Sequence, residues 1–252
     1  MVKDIKSNTT VLDSKPRILS VKNTKPFTSK VSGETKWDYT KLLLHLNGTD
    51  GGTTLTDSSH SNHSVTAVGN AQLDTAQSKF GGASGLFDGT GDYLTVPDSA
   101  DFAFGDGNFT IDFWLRFNAT SGTQFFFDHY TNDNNRQLFY SSGTGGEYRN
   151  IIGGIVKTDL SVADFGFVAG NWYHIAIVRN GNVWTMYKNG TSIATVTETT
   201  TFPDYTGNFT IGAYYDGSSG FNGWIDEFRI SKGVARWTAN FTPPTAEYVP
   251  TE

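Results

Sequence analysis

Residues 109–117 read Phe109-Thr110-Ile111-Asp112-Phe113-Trp114-Leu115-Arg116-Phe117. Phe109, Ile111, Phe113, Leu115 and Phe117 share one face of an extended chain, and Thr110, Asp112, Trp114 and Arg116 share the other. A helix would scatter those five apolar residues around its circumference, because its faces repeat every ~3.6 residues. The same alternation recurs at 172–179, 183–188, 192–197, 208–214 and 224–230. Turn signals separate the runs. Asn180-Gly181 joins two of them and predicts a tight type I′ hairpin, whose positive φ angles Asn and Gly tolerate, and Asn189-Gly190 and Asp88-Gly89 mark further turns. The pentapeptide Gly107-Asn108-Phe109-Thr110-Ile111 returns at Gly207-Asn208-Phe209-Thr210-Ile211 in otherwise unlike surroundings, which predicts two equivalent strand starts. About a dozen strand runs without a long helical pattern specify an all-β chain, an antiparallel sandwich or jelly roll.

Composition agrees. Only 17% of the 252 residues are charged and 28 are glycine, which suits short strands joined by turns and argues against coiled coils and helical bundles. With no cysteine there is neither a disulfide framework nor a thiolate zinc site. Residues 1–6 lack the apolar core of a signal peptide, so synthesis without an export signal is expected. Apolar runs such as Leu42–Leu44 and Phe125–Phe127 fall far short of the ~18 residues that span a bilayer, so no membrane insertion is expected.

Charge divides the chain. Residues 1–36 carry eight basic and three acidic side chains, a net of +5, whereas residues 37–252 carry 11 and 22, a net of −11. The first segment has no sustained period and too little apolar surface to fold alone. It is expected to be an extended basic N-terminal arm at 1–36, ahead of a folded body at 37–245 and a tail at 246–252. Two readings stand for the arm: a solvated tail, or an assembly segment that orders on a partner by burying Val11, Leu12, Ile18, Leu19 and Phe27, with Arg17 among its basic groups. Nucleic acid is a poor partner, since the basic charge is diffuse and the acidic body repels phosphate.

Two segments mix aromatic rings with amides and carboxylates, as a pyranose with its apolar face and ring of hydroxyls requires. They supply Tyr130, Asn132, Asp133 and Asn134 in 129–136, and Tyr215 and Asp216 in 214–221, as candidate carbohydrate-binding residues. An ordinary polar loop explains either segment as well.

Several motifs together resemble the laminin G-like branch of the concanavalin A-like lectin/glucanase superfamily. They are Leu42-Leu43-Leu44-His45-Leu46-Asn47-Gly48, Lys79-Phe80-Gly81-Gly82-Ala83-Ser84, Leu86-Phe87-Asp88-Gly89, the 109–115 strand, Trp172-Tyr173-His174-Ile175, and Gly223-Trp224-Ile225-Asp226-Glu227-Phe228. Their order covers roughly residues 41–241. The resemblance implies a two-sheet jelly roll with one concave face, of the kind found in bacteriophage structural proteins. It therefore implies a non-enzymatic virion accessory protein, a capsid decoration or tail-associated component. The arm would hold it to a capsid or tail protein, as a homo-oligomer or symmetric array on the virion surface. The alternatives left open are a soluble or cell-surface lectin and, less favoured, a glycoside hydrolase.

Glucanases of this superfamily carry closely spaced carboxylates on one strand, and a retaining pair must lie about 5–5.5 Å apart across the scissile bond. The adjacent pair Asp226-Glu227 points to opposite faces of a strand and cannot flank one substrate. Laminin G-like domains often hold calcium, and the resemblance makes Asp50 and Asp226 the candidate ligands tying the first strand's loop to the last strand. Asp57, His60 and His63 have spacing that zinc could use, but turn chemistry accounts for that Ser- and Asn-rich loop. His174, in the Trp-x-His strand, is expected to make a buried hydrogen bond.

Overall fold

The computed structural model describes residues 35–249, so Val11, Leu12, Arg17, Ile18, Leu19 and Phe27 lie outside the described residues. Among the described residues there are fifteen strands and two short 3-10 helices. In chain order the strands are β1 (Thr40–Leu44), β2 (Thr66–Val68), β3 (Gln72–Asp74), β4 (Ser84–Asp88), β5 (Tyr93–Val96), β6 (Phe109–Phe117), β7 (Thr123–Asn132) and β8 (Asn135–Ser142). They continue with β9 (Gly145–Ile152), β10 (Ile155–Val162), β11 (Trp172–Asn180), β12 (Val183–Lys188), β13 (Thr191–Thr197), β14 (Phe209–Ile211) and β15 (Asn222–Lys232).

Two antiparallel sheets form a sandwich. One runs β13-β12-β11-β6-β15-β4-β3, with β1 also paired to β15; the other runs β10-β9-β8-β7-β14-β5-β2. The face assigned to Phe109, Ile111, Phe113, Leu115 and Phe117 lies between the sheets, where all five are fully buried. Phe113 touches rings from both sheets: Phe228 at 5.2 Å, Phe126 at 6.2 Å and Phe139 at 6.3 Å between centroids. The repeated pentapeptide opens β6 in one sheet and β14 in the other, and Phe109 and Phe209 both point into this core.

The opposite face of the eight-stranded sheet is covered as well. Asp112 of β6 accepts two hydrogen bonds from Arg229 of β15, at 3.0 and 2.9 Å, and lies 3.4 Å from His174 of β11. His174 also meets the hydroxyl of Tyr248 at 3.1 Å, and the Arg229 guanidinium sits 3.7 Å from the Tyr248 ring centre. Burial alone would raise the Asp112 pKa, but Arg229 and His174 outweigh it and hold the carboxyl well below its ordinary value. This network gives His174 its expected hydrogen-bonding role beneath the C-terminal segment. Tyr248, assigned by sequence to a tail, is 1% exposed. Thr35 and Lys36, assigned to the arm, belong to the compact unit, and Lys36 Nζ donates to the Arg236 carbonyl at 3.0 Å.

Turn chemistry departs from expectation at one hairpin. Asn180 pairs with Val183, so the loop residues are Gly181 and Asn182, and only Gly181 has positive φ, at 60°. That is the type II′ pattern, with glycine first, rather than type I′. Asn189 and Gly190, with φ of 49° and 77°, make the type I′ turn. β15 carries a bulge between Asp226 and Arg229, with Glu227 at a φ of 52°. There the strand exchanges its partner from β4 to β1.

Candidate functional site

Alternation also decides what the seven-stranded sheet shows to solvent. Phe127, Leu94, Val96, Phe209 and Ile211 enter the core, so Asp128 and Tyr130 of β7, Tyr93 and Thr95 of β5 and Thr210 of β14 stand on the outer face. A groove of about 300 Å³ crosses these strands, lined by Tyr93, Thr95, Tyr130, Asn208, Thr210 and Tyr215.

The groove wall is built on one arginine. Arg136 of β8 lies opposite Tyr130 in register. Its guanidinium forms a two-point ion pair with the fully buried Asp128 and donates to the Tyr214 hydroxyl at 2.5 Å. The same group lies 4.2 Å from the Tyr214 ring centre, 4.9 Å from that of Tyr130 and 5.6 Å from that of Tyr215. Tyr130 and Tyr215 stack 3.6 Å apart and 2° from parallel. The Tyr215 N–H donates to Asp128 at 3.2 Å, so Asp128 ties β7, β8 and the 212–221 loop together. Burial pushes the Asp128 carboxyl up to about 6, while Arg136 and the Tyr215 N–H pull it down. The carboxylate is thus ionised at neutral pH and committed to holding the arginine. The Tyr130 phenol is pushed up, first by its hydrogen bond with Tyr215, then by desolvation and Asp133, so it stays a neutral donor.

Of the six residues picked from sequence for sugar binding, the fold brings Tyr130 and Tyr215 into contact and sets Asp133 beside them, accepting from the Tyr130 hydroxyl at 3.1 Å. The other three shape turns. Asn132 accepts from Asn134 N at 3.0 Å and Asn135 Nδ2 at 3.1 Å, and Asp216 accepts from Ser218 N at 2.9 Å. Sequence reasoning passed over Asp128, Tyr93, Thr95 and Thr210, and held Arg136 and Tyr214 only as members of the two segments, without a role. The available signal was the run of polar residues at outward positions of otherwise apolar strands.

Asp50 and Asp226 are not brought together. Asp50 accepts from Thr75 N at 3.1 Å, just past β3, while Asp226 lies on β15 with β4 between. Asp226 instead accepts from Lys79 N at 2.7 Å and Phe80 N at 3.1 Å. Burial pushes its carboxyl up to about 7. Among the described residues the set with metal-binding geometry is His45, Glu227 and Glu247, whose ligand atoms lie within 4.8 Å of one another. His45 Nδ1 meets Glu227 at 2.7 Å, and Asn47 Nδ2 donates to Glu247. This set does join the loop after β1 to the last strand, through other residues than those expected. The zinc spacing is used otherwise: Asp57 accepts from Leu43, Ser59 and His63 backbone N–H groups, His60 from Trp37, and His63 lies 3.2 Å from Asp101.

A family model described as the concanavalin A-like lectin/glucanases superfamily matches residues 88–238, more than half of the chain. The chain belongs to this superfamily. The matched span contains every residue of the tyrosine platform, whereas His45 and Glu247 lie outside it. No curated protein matches the chain. Solved structures of similar fold include the receptor binding domain of botulinum neurotoxin D, at 17% identity and TM-score 0.63 over 80% of this chain and 51% of that one. The binding domain of botulinum neurotoxin DC in complex with SialylT aligns at 19% and 0.60, over 79% and 50%. Domain 4 of an extracellular arabinanase from Geobacillus stearothermophilus, in complex with arabinotriose, aligns at 16% and 0.59, over 78% and 93%. This superfamily member thus spans about half the length of the toxin domains and nearly all of the arabinanase domain.

Proposed function

We propose that this chain is a non-enzymatic carbohydrate-binding module that holds a glycan in the groove on the outer face of the seven-stranded sheet. The Arg136-supported pair of Tyr130 and Tyr215 carries this reading. A rigid ring platform beside threonine hydroxyls and the Asn208 amide offers a pyranose both its stacking surface and its hydrogen bonds. The nearby carboxylates have structural duties, Asp128 to Arg136 and Asp133 to Tyr130, which supports binding without bond cleavage. The solved relatives bound to SialylT and arabinotriose support a glycan ligand by analogy of fold.

The finer proposal is display on a virion, with the basic residues 1–36 holding the acidic body to a capsid or tail protein; their net of +5 against −11 supports it. A cation is proposed between the first strand's loop and the last strand. Glu227, Glu247 and the Asn47 side-chain oxygen would suit calcium there, with His45 at its edge, and the ion would pin the C-terminal segment. A glycan array probed with the full chain, Tyr215→Ala and Tyr130→Ala tests the central claim. Retention of defined oligosaccharides by the full chain, weakened at least tenfold by either substitution, is expected. Retention that neither substitution changes, or none on any glycan, overturns it; release of reducing sugar from a bound glycan overturns the non-enzymatic reading.

A further inference from the structure

The eight-stranded sheet has a cleft of its own. About 410 Å³ opens on its outer side between the Lys79–Phe80 loop, Trp114 of β6, Trp172 of β11 and the C-terminal stretch Thr242–Thr245. That volume lies within the ~300–1,000 Å³ of small-molecule sites. Its walls are aromatic, with Phe80 and Trp114 meeting edge to face at 5.9 Å and Trp172 at the rim.

The polar atoms here are weighted toward donors. Lys79 Nζ sits 4.0 Å from the Trp114 ring centre, and among the described residues no carboxylate lies within 4.0 Å of it. Asp226 attracts the ammonium from beyond contact distance, while its Oδ2 accepts from the Lys79 and Phe80 backbone N–H groups. Asn189 spends its carbonyl on His174 N at 2.9 Å, leaving its amide nitrogen as the remaining side-chain group. No acidic side chain lines the cleft. A half-buried ammonium over an aromatic wall, with no carboxylate in contact, is half of a charge-assisted pair.

We propose that this cleft is a second binding site, for a carboxylate-bearing pyranose such as a uronic acid residue of an acidic polysaccharide. The ring's apolar face would stack on Trp172 and Phe80, the carboxylate would meet Lys79, and the ring hydroxyls would meet Asn189, Thr242 and Thr245. The inference goes beyond the groove on the other sheet and stands without it.

Calorimetric titration of the full chain tests it, with digalacturonate, its methyl ester and acetate as probes. Digalacturonate is expected to bind in the millimolar range or tighter, the ester and acetate at least tenfold more weakly. Lys79→Gln, which keeps the backbone N–H that serves Asp226, and Trp172→Ala at the rim are each expected to weaken digalacturonate at least fivefold with an unchanged melting temperature. No binding of digalacturonate overturns the site, and so does equal binding of acid and ester. Acetate as tight as digalacturonate removes the sugar from the claim. Binding that neither variant weakens places the ligand elsewhere.

Discussion

Arg136→Met keeps most of the apolar stem and removes the guanidinium, which leaves Asp128 fully buried with only the Tyr215 N–H to serve it. Breaking a buried pair by removing one partner costs about 3–5 kcal/mol. Protonation of Asp128 provides the escape, so the cost depends on pH. In the native chain this carboxyl is pushed from 3.8 to about 6, so the folded state binds the extra proton between those values and stability falls as pH rises through that window. Above pH 6 the native profile is flat for this group. Without Arg136 the folded pKa climbs further, and stability goes on falling at about 1.4 kcal/mol per pH unit until the new value is reached. The penalty of the substitution therefore grows between pH 5 and pH 8, by about 1.4 kcal/mol for each unit that the folded pKa of Asp128 rises. Urea unfolding of both proteins at the two pH values measures it. The double variant Arg136→Met/Asp128→Asn removes the stranded charge and is expected to recover most of the loss at pH 8 while remaining weak in glycan binding. A penalty equal at both pH values, or a double variant no more stable than the single one, refutes the assignment of Asp128 as the arginine's buried counter-charge.

Gly207 faces Tyr130 so closely that a Cβ there would collide with the Tyr130 carbonyl oxygen. Gly207→Ala is expected to cost about 1–3 kcal/mol in calorimetric unfolding and to weaken glycan binding by shifting the ring. Burial lowers the His129 pKa from 6.5 to about 4, so the unfolded chain takes up the proton first and stability falls as pH drops through that window, by up to about 3 kcal/mol. His129→Gln should therefore close on the native chain in urea midpoint between pH 7 and pH 4.5; a constant gap would contradict a neutral buried imidazole. Millimolar calcium is expected to raise the melting temperature of the full chain, and Glu247→Gln to abolish that rise.

The sandwich was legible because a strand's faces alternate residue by residue. The apolar set of 109–117 must turn inward together, and the pentapeptide at 107 and 207 must start two strands. The hairpin at Asn180-Gly181 was legible as a turn but not as a type, since pairing of Asn180 with Val183 moved the loop by one residue. Tyr130 and Tyr215 were legible as aromatic residues in polar loops, while their stacking was not. The arginine beside them bonds Tyr214, 78 positions away, and only the order β8-β7-β14 makes the two segments neighbours. Asp226 was correctly placed on the last strand, but β4 stands between it and Asp50. The bulge at Glu227, which no local pattern announces, turns that side chain to His45 instead.

By itself the sequence determined that this chain is a two-sheet antiparallel sandwich, because period-two alternation and turn chemistry act over a few neighbouring residues. The tertiary structure alone decided which polar residues converge: Asp128 with Arg136 and Tyr214, His45 with Glu227 and Glu247, and Lys79 with Trp114 and Trp172. Convergence of this kind depends on strand order, register and one bulge. Those are settled by how the whole core packs and not by any stretch of chain taken separately.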